Sequence, residues 1–174
     1  MSSSLFKAGR NTAVRVARVG VCGAILFVVQ VALAFIPNCE LVSCLTIVFT
    51  LVFGPETLLS VTVFSLMEGM MYGFGLWVIS YLYVWPILVL LTLAFKKLFK
   101  EERLLWAVLA AGFGLIFGSL FAVAYIPIDP SYALSYWIAG LMWDAWHAFT
   151  NGVIVFLLFK LLYKGMNRIK RMTD

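Results

Sequence analysis

Long apolar stretches run along nearly the whole chain, and short segments that contain glycine, proline or charge separate them. Arg18 and Glu40 enclose 21 uncharged residues, which is enough for one helix because a bilayer core takes about 17–25 apolar residues. The 77 residues between Arg18 and Lys96, which include this first stretch, fit four helices of about 19 residues each. The pattern predicts an all-α integral membrane protein.

Turn signals divide these stretches into a bundle of six transmembrane helices. Gly54–Glu56 predicts a turn on the inner side, and Tyr72–Gly75 predicts one on the outer side. Leu104–Ile126 then runs outward, Pro127–Pro130 forms a second outer turn, and the last helix returns to Lys160. Helices 2 and 3 are predicted to be short. The chain is expected to form one membrane domain, with residues 1–15 as a cytoplasmic segment, 16–163 as the six-helix bundle and 164–174 as a cytoplasmic tail.

Composition excludes a water-soluble protein. Hydrophobic residues make up 64% of the chain and charged residues 12%, whereas a soluble domain is about 25% charged. A soluble monomer of this size could not hide so much apolar surface, and a disordered chain would be far more polar.

The basic residues fall into three clusters next to predicted helices. The chain carries 13 Lys and Arg against 8 Asp and Glu, which gives a formal net charge of +5. The positive-inside rule places such clusters on the cytoplasmic side, so both termini are expected in the cytoplasm of a plasma-membrane protein. These positions favour the lipid bilayer, and not nucleic acid, as the partner. The clusters are Lys7, Arg10, Arg15 and Arg18; Lys96, Lys97, Lys100 and Arg103; and Lys160, Lys164, Arg168, Lys170 and Arg171.

The Trp and Tyr residues are distributed unevenly between the two predicted halves. Only Trp106 and Tyr163 map to the cytoplasmic half, although a plain interfacial belt would populate both faces. The outer half is therefore expected to do more than anchor the protein.

Polar residues on the last predicted helix share one face. Their steps of three and four residues place them together, and ionisable groups within a membrane segment usually face a cavity or a partner. With polar and aromatic residues of helices 2, 3 and 4, they predict a small-ligand pocket that opens to the outside. The predicted ligand-binding residues are Glu40, Glu68, Tyr81, Trp85, Trp137, Asp144, His147 and Asn151.

Structural roles are the alternatives for the same residues. Asp144 could pair with His147 or join a neighbouring helix, and Asn151 could form a hydrogen bond between helices. Glu40 could be a solvated loop residue. These alternatives stay open at the level of sequence.

Catalysis and metal binding are not expected. The single histidine is too few for an intramembrane metal site, and no H-E-x-x-H, G-x-S-x-G or P-loop pattern occurs. The chain is therefore expected to be no enzyme and to bind no metal, cofactor or ATP itself. Cys22, Cys39 and Cys44 suit ordinary apolar positions, since the C-x4-C pair lacks a second pair.

Small residues recur at the cytoplasmic end of the first helix. Ala13 and Ala17 are four residues apart, and so are Gly20 and Ala24. This spacing lets another helix approach closely. Ala17, Gly20 and Ala24 are predicted to contact a partner protein.

Three local features resemble the S components of energy-coupling factor (ECF) transporters, small membrane proteins that capture vitamins. The first is the small-residue sequence Gly20–Ala24, which reads G-x-x-x-A where the family usually has A-x-x-x-A. The second is PNCELVSCLTIVFTLVFG (Pro37–Gly54) followed by LMEGMMYGFG (Leu66–Gly75). The third is Tyr136–Gly152, which has the ending G-x-x-x-D-x-x-H-x-x-x-N. With size and topology, the resemblance covers nearly the whole chain.

This resemblance implies a division of labour. The S component binds substrate near the outer face, in a pocket closed by the loop after helix 1. It then associates with a transmembrane T component and two cytoplasmic ATPases, which use ATP, and it reorients to release the substrate inside.

The outer half indicates the substrate class. Glu40, Glu68, Asp129 and Asp144 map there without any Lys or Arg, so an anionic ligand would lack a counter-charge. The aromatic residues favour a flat ring that can stack, and a cationic ring would gain cation–π contact. A neutral or cationic heteroaromatic vitamin or precursor is therefore expected. A stand-alone solute carrier or channel and a membrane scaffold protein are the alternatives.

Overall fold

The computed structural model describes residues 2–173, and it describes the side chains of residues 12–172. Lys7, Arg10 and most of the predicted segment 1–15 lie outside the described side chains. Every element within residues 2–173 is helical, which confirms the all-α prediction. Short 3-10 helices follow α2 and α5. The α-helices are α1 (Ser2–Leu33), α2 (Val42–Phe53), α3 (Thr57–Tyr72), α4 (Leu76–Phe99), α5 (Arg103–Ala122) and α6 (Pro130–Thr173).

Five helical stretches among the described residues are long and apolar enough to cross a membrane. Such stretches are characteristic of a helical membrane protein. One of the five combines α2 and α3, which contain 12 and 16 residues and are joined by the 3-10 turn Gly54–Glu56. The count of six transmembrane helices therefore stays a prediction. The other four stretches are Thr12–Leu33, Leu76–Phe99, Arg103–Tyr125 and Pro130–Met172.

The chain reverses direction between α2 and α3. Gly54 has a φ of 73°, which favours glycine, and Pro55 follows it, so α2 ends there. Arg15 forms an ion pair of 3.0 Å with Glu56, and Gly23 packs further along against the start of α3. Helices α1 and α3 therefore run in the same direction, with α2 returning between them.

The bundle has two chemically different ends. The Nζ of Lys170 donates a hydrogen bond to the Val52 carbonyl at 2.9 Å, and the Nε1 of Trp106 donates one to the Lys100 carbonyl at 2.9 Å. These contacts and the Arg15–Glu56 pair gather the described basic clusters at one end, which we call the basic end. We call the opposite end, formed by segments 34–41, 73–75 and 126–129, the loop end.

Helix α2 lies at the centre of the bundle. Ten of its twelve residues are buried, and it contacts α1, α3, α4 and α6. One of its hydroxyl groups is satisfied within the helix, by the hydrogen bond of 2.6 Å from Thr50 Oγ1 to the Thr46 carbonyl. Because α2 starts at the loop end, its first turn is held rigidly next to α6.

Candidate ligand-binding site at the loop end

The segment that connects α1 to α2 is fastened to α6 by three hydrogen bonds. The Nδ2 of Asn38 donates to the Trp143 carbonyl at 3.0 Å, and the Nε1 of Trp146 donates to the Pro37 carbonyl at 3.2 Å. The Oγ1 of Thr150 donates to the Asn38 carbonyl at 2.7 Å. The segment therefore covers the loop end as an ordered roof.

Glu40 joins this roof to the polar face of α6. Its Oε1 lies 3.4 Å from Nε2 of His147, and its Oε2 accepts a hydrogen bond from the Ser43 backbone N–H at 2.8 Å. The Nδ2 of Asn151 donates to Ser43 Oγ at 3.2 Å. Glu40, His147 and Asn151 are all buried, so the three groups depend on one another for their hydrogen bonds.

The carboxyl of Glu40 has a lowered pKa despite its burial. Burial alone raises the pKa of the Glu40 carboxyl, but the hydrogen bond and charge of His147 and the hydrogen bonds of Ser43 outweigh it, so this pKa lies below its usual value. An ionised carboxylate can only accept, so Nε2 of His147 carries the proton in their contact. The other side of the imidazole ring packs edge-on against Phe117, with ring centroids 4.9 Å apart.

Asp144 is positioned by a glycine of α5. Its Oδ1 accepts a hydrogen bond from the Gly118 backbone N–H at 3.0 Å, and a Cβ atom on Gly118 would collide with the carboxylate. The other oxygen, Oδ2, is buried and has no hydrogen-bond partner among the described residues. One half of this carboxylate therefore joins two helices, and the other half is left without a hydrogen bond among the described residues.

Aromatic rings surround the space between α3, α4 and α5. The ring of Tyr81 stacks on Phe64 with centroids 5.7 Å apart, and it meets Trp85 and Phe121 edge-on at 5.7 and 5.5 Å. Trp77 meets the same ring edge-on at 5.4 Å. Tyr81 is thus the centre of an aromatic cluster whose edges and faces both offer contacts to a flat ligand.

Two adjoining cavities lie beneath the roof. The roof cavity has a volume of about 210 Å³ and the carboxylate cavity about 620 Å³, and both are lined by Asn38, Tyr81 and Phe117. The roof cavity is also lined by Gln30, Leu33, Ala34, Ile36, Pro37, Cys39, Glu40, Trp85 and His147. The carboxylate cavity is also lined by Trp77, Gly118, Phe121, Tyr136, Ala139, Gly140, Trp143 and Asp144.

The cavities bring together five of the eight predicted ligand-binding residues, namely Glu40, Tyr81, Trp85, Asp144 and His147. The remaining three are outside both linings. Glu68 is buried on α3, with no hydrogen-bond partner for Oε1 among the described residues. Asn151 lies deeper on α6, and the Trp137 side chain is 37% exposed.

Several cavity residues were missed at the level of sequence. Phe117, Gly118 and Phe121 come from α5, which is apolar except for Arg103 and Ser119 and offers no polar periodicity that would distinguish them. Asn38 had a usable signal, since it is a polar residue in a short connection beside Glu40. Its backbone φ of 53° also belongs to a region that asparagine tolerates better than most residues.

The predicted partner face on α1 is open. Ala17 and Gly20 are exposed, Ala24 is half-buried, and a Cβ atom on Gly20 would meet nothing within 4 Å. Gly23 differs, because its Cβ would lie 2.9 Å from the Ser60 carbonyl oxygen. One small residue of this stretch therefore packs inside the bundle, while its neighbours leave a flat surface outside.

The two cavities share an acidic and aromatic lining. Their described lining contains two carboxylates and no Lys or Arg. Across residues 12–172, no three His, Cys, Asp or Glu side chains are grouped so that they could hold a metal ion. No protein-family model, curated protein or solved structure matches the chain. Function is therefore inferred from the cavities and from the open face of α1.

Proposed function

We propose that this chain is the substrate-binding S component of an ECF-type vitamin-uptake transporter. The observation that carries the proposal is the pair of cavities at the loop end, which adjoin the hydrogen-bonded roof and are lined by aromatic rings and two carboxylates. The substrate is a small neutral or cationic heteroaromatic vitamin or precursor. A binding protein needs such a site, whereas a channel needs a continuous path.

The size and lining of the carboxylate cavity support this substrate class. Its volume of about 620 Å³ lies within the range of about 300–1,000 Å³ that is usual for small-molecule sites. The carboxylate of Asp144 lines this cavity and could attract a ring N–H or an ammonium group, and the neighbouring rings offer stacking and cation–π contacts. An anion would meet Asp144 and Glu40 with no Lys or Arg in the described lining.

The proposed orientation follows from the charges. The basic end faces the cytoplasm of the plasma membrane, and the loop end faces outward, because clustered Lys and Arg stay on the cytoplasmic side. The cavities then open on the side from which a nutrient arrives. The lipid bilayer surrounds the exposed apolar side chains of the bundle.

The open face of α1 supports the proposed partners. Ala17, Gly20 and Ala24 would let a helix of the T component approach closely. Two cytoplasmic ATPases would supply the energy, so this chain has no need to bind ATP or to act as an enzyme.

Co-purification from native membranes tests the proposal. Tagged wild-type chain should retain a T component and two ATPases, and Gly20→Leu should reduce their recovery at least about tenfold because a leucine would block helix approach. Ala32→Leu is the matched control, since it places the same leucine side chain at another exposed position of α1.

Two outcomes would contradict the proposal. Solute transport by the purified chain alone in liposomes would indicate a stand-alone carrier. Equal recovery of the partners with Gly20→Leu and with wild type would show that this face of α1 does not contact them.

A further inference from the structure

A third cavity, with a different chemistry, lies at the basic end. It has a volume of about 380 Å³ and lies between the α4–α5 connection and the last turns of α6. We call it the basic cleft. It is lined by Glu101, Tyr163, Lys164, Asn167, Arg168 and Arg171.

The cations of the basic cleft are available for a ligand. Elsewhere at this end Arg15 pairs with Glu56, and the Arg103 guanidinium lies over the Phe156 ring at 4.2 Å. Among the described residues, by contrast, Lys164, Arg168 and Arg171 form no ion pair. Glu101 is the one acid in the cleft lining, so the cleft carries an excess of positive charge.

The same face of α6 continues into the membrane as an apolar strip. Val153, Leu157 and Leu161 are 41%, 63% and 71% exposed, and they precede Lys164 and Arg168 at steps of three and four residues. This spacing places all five on one side of the helix. An elongated ligand on this face would contact apolar side chains along one half of its length and cationic side chains along the other half.

We propose that the basic cleft binds the phosphate headgroup of an anionic phospholipid, with an acyl chain lying along Val153, Leu157 and Leu161. The side chains of Lys164, Arg168 and Arg171 supply the opposing charge, and the hydroxyl of Tyr163 and the amide of Asn167 can donate further hydrogen bonds. The adjoining apolar strip favours a lipid over a free phosphate ion. The site is separate from the cavities at the loop end and does not depend on the transport role.

Lipid titration of the purified full-length chain, followed by native mass spectrometry, tests this site. The probes are phosphatidylglycerol and phosphatidylcholine with identical acyl chains. Lys164→Gln/Arg168→Gln should weaken phosphatidylglycerol binding about thirtyfold, since each basic residue contributes about fivefold (about 1 kcal/mol). Binding of phosphatidylcholine, which has no net charge, should be weaker in wild type and change little.

Lys96→Gln/Lys97→Gln is the matched control. It removes the same charge at the same end, and neither residue lines the cleft. If the cleft is specific, the affinity of this variant for phosphatidylglycerol should stay within about threefold of the wild-type affinity. Equal losses in both double variants would overturn the proposal, because the effect would then be that of general surface charge.

A further experiment distinguishes a phospholipid headgroup from free inorganic phosphate as the ligand of the basic cleft. Inorganic phosphate at millimolar concentration should leave the bound phosphatidylglycerol in place if the acyl chain contributes to binding. Complete displacement by inorganic phosphate would contradict the lipid assignment, and so would equal binding of phosphatidylcholine. Melting temperatures of both double variants close to that of wild type would show that they remain folded.

Discussion

Helices α5 and α6 pack against each other in two different ways at the two ends of the bundle. Towards the loop end, glycines bring the backbones together, and a Cβ on Gly114 would lie 2.9 Å from the Ala148 backbone N. Towards the basic end, aromatic rings fill the interface. There Trp106 packs against Phe159 at 6.2 Å, and Phe159 stacks on Tyr163 at 5.5 Å.

The difference shows how a polar site is built in an apolar bundle. Close backbone approach exposes the Gly118 N–H to Asp144, which gives a buried carboxylate one hydrogen bond without any polar side chain on α5. The aromatic rings instead fill the space between α5 and α6 towards the basic end. The buried carboxylate therefore lies where the side chains between the two helices are small, and apolar packing dominates where they are large.

Substituting the glycine at the closest approach should have the largest effect. Gly114→Leu should reduce the free energy of unfolding by at least about 3 kcal/mol, because a leucine would push against the α6 backbone, which cannot move like a flexible side chain. Thermal unfolding of the purified protein measures the change.

Gly112→Leu is the control for this prediction. A Cβ at Gly112 would meet nothing within 4 Å. The free energy of unfolding of this variant should therefore lie within about 0.5 kcal/mol of the wild-type value. Similar destabilisation by both substitutions would mean that close approach at Gly114 is not what holds α5 and α6 together.

Substitution of Asp144, whose carboxylate contacts Gly118, should have the next largest effect. This effect should be on ligand affinity. Asp144→Asn keeps an acceptor for the Gly118 N–H but removes the charge that faces the carboxylate cavity. We expect ligand affinity to fall by roughly one to two orders of magnitude, since an unpaired buried partner costs about 1–3 kcal/mol. Calorimetric titration of folded variant protein measures it.

Glu68→Gln provides the comparison for Asp144→Asn. Glu68 was predicted to bind the ligand from α3, and its side chain is buried outside both cavity linings. A smaller loss of affinity than with Asp144→Asn is therefore expected. Unchanged ligand affinity in folded Asp144→Asn would show that Asp144 joins helices and does not bind the ligand.

The smallest expected effect is a pH dependence at the roof. Because the pKa of Glu40 is lowered in the folded protein, its ionised form adds stability above its ordinary pKa of about 4.3, and this stability is lost as pH falls through the lowered pKa. Glu40→Gln should lower stability by about 1.5 kcal/mol at neutral pH and approach wild type in acid. Melting temperatures of wild type and Glu40→Gln should be measured across this pH range. A difference between the two proteins that stays the same at every pH would contradict the Glu40–His147 pairing.

The polar stripe of the last helix was the best-predicted part of the site. Asp144, His147 and Asn151 are buried on one side of α6, as their spacing of three and four residues indicates. The sequence did not reveal that each has a different partner, because those partners lie on α5, in the roof and on α2. Long-range pairing depends on helix packing, which periodicity within one helix does not encode.

Aromatic residues were harder to assign than polar ones. Trp137 is on the predicted face but lies outside both cavities, whereas Trp143 lines the carboxylate cavity and its carbonyl accepts the Asn38 side chain. Tryptophans at a membrane interface serve as anchors as well as binding groups, so helical position alone does not separate the two roles. The turn at Gly54–Glu56, by contrast, was predicted correctly, because glycine and proline act locally.

The most direct test of the central claim is a thermal-shift screen of the purified wild-type protein. The panel should contain neutral, cationic and anionic heteroaromatic vitamins and precursors. A neutral or cationic compound at a hundredfold excess over its Kd should raise the melting temperature by about 5–10 °C, and anionic analogues should not. Stabilisation by anionic compounds alone, or by none of the panel, would contradict the assignment of the two loop-end cavities as the binding site for such a substrate.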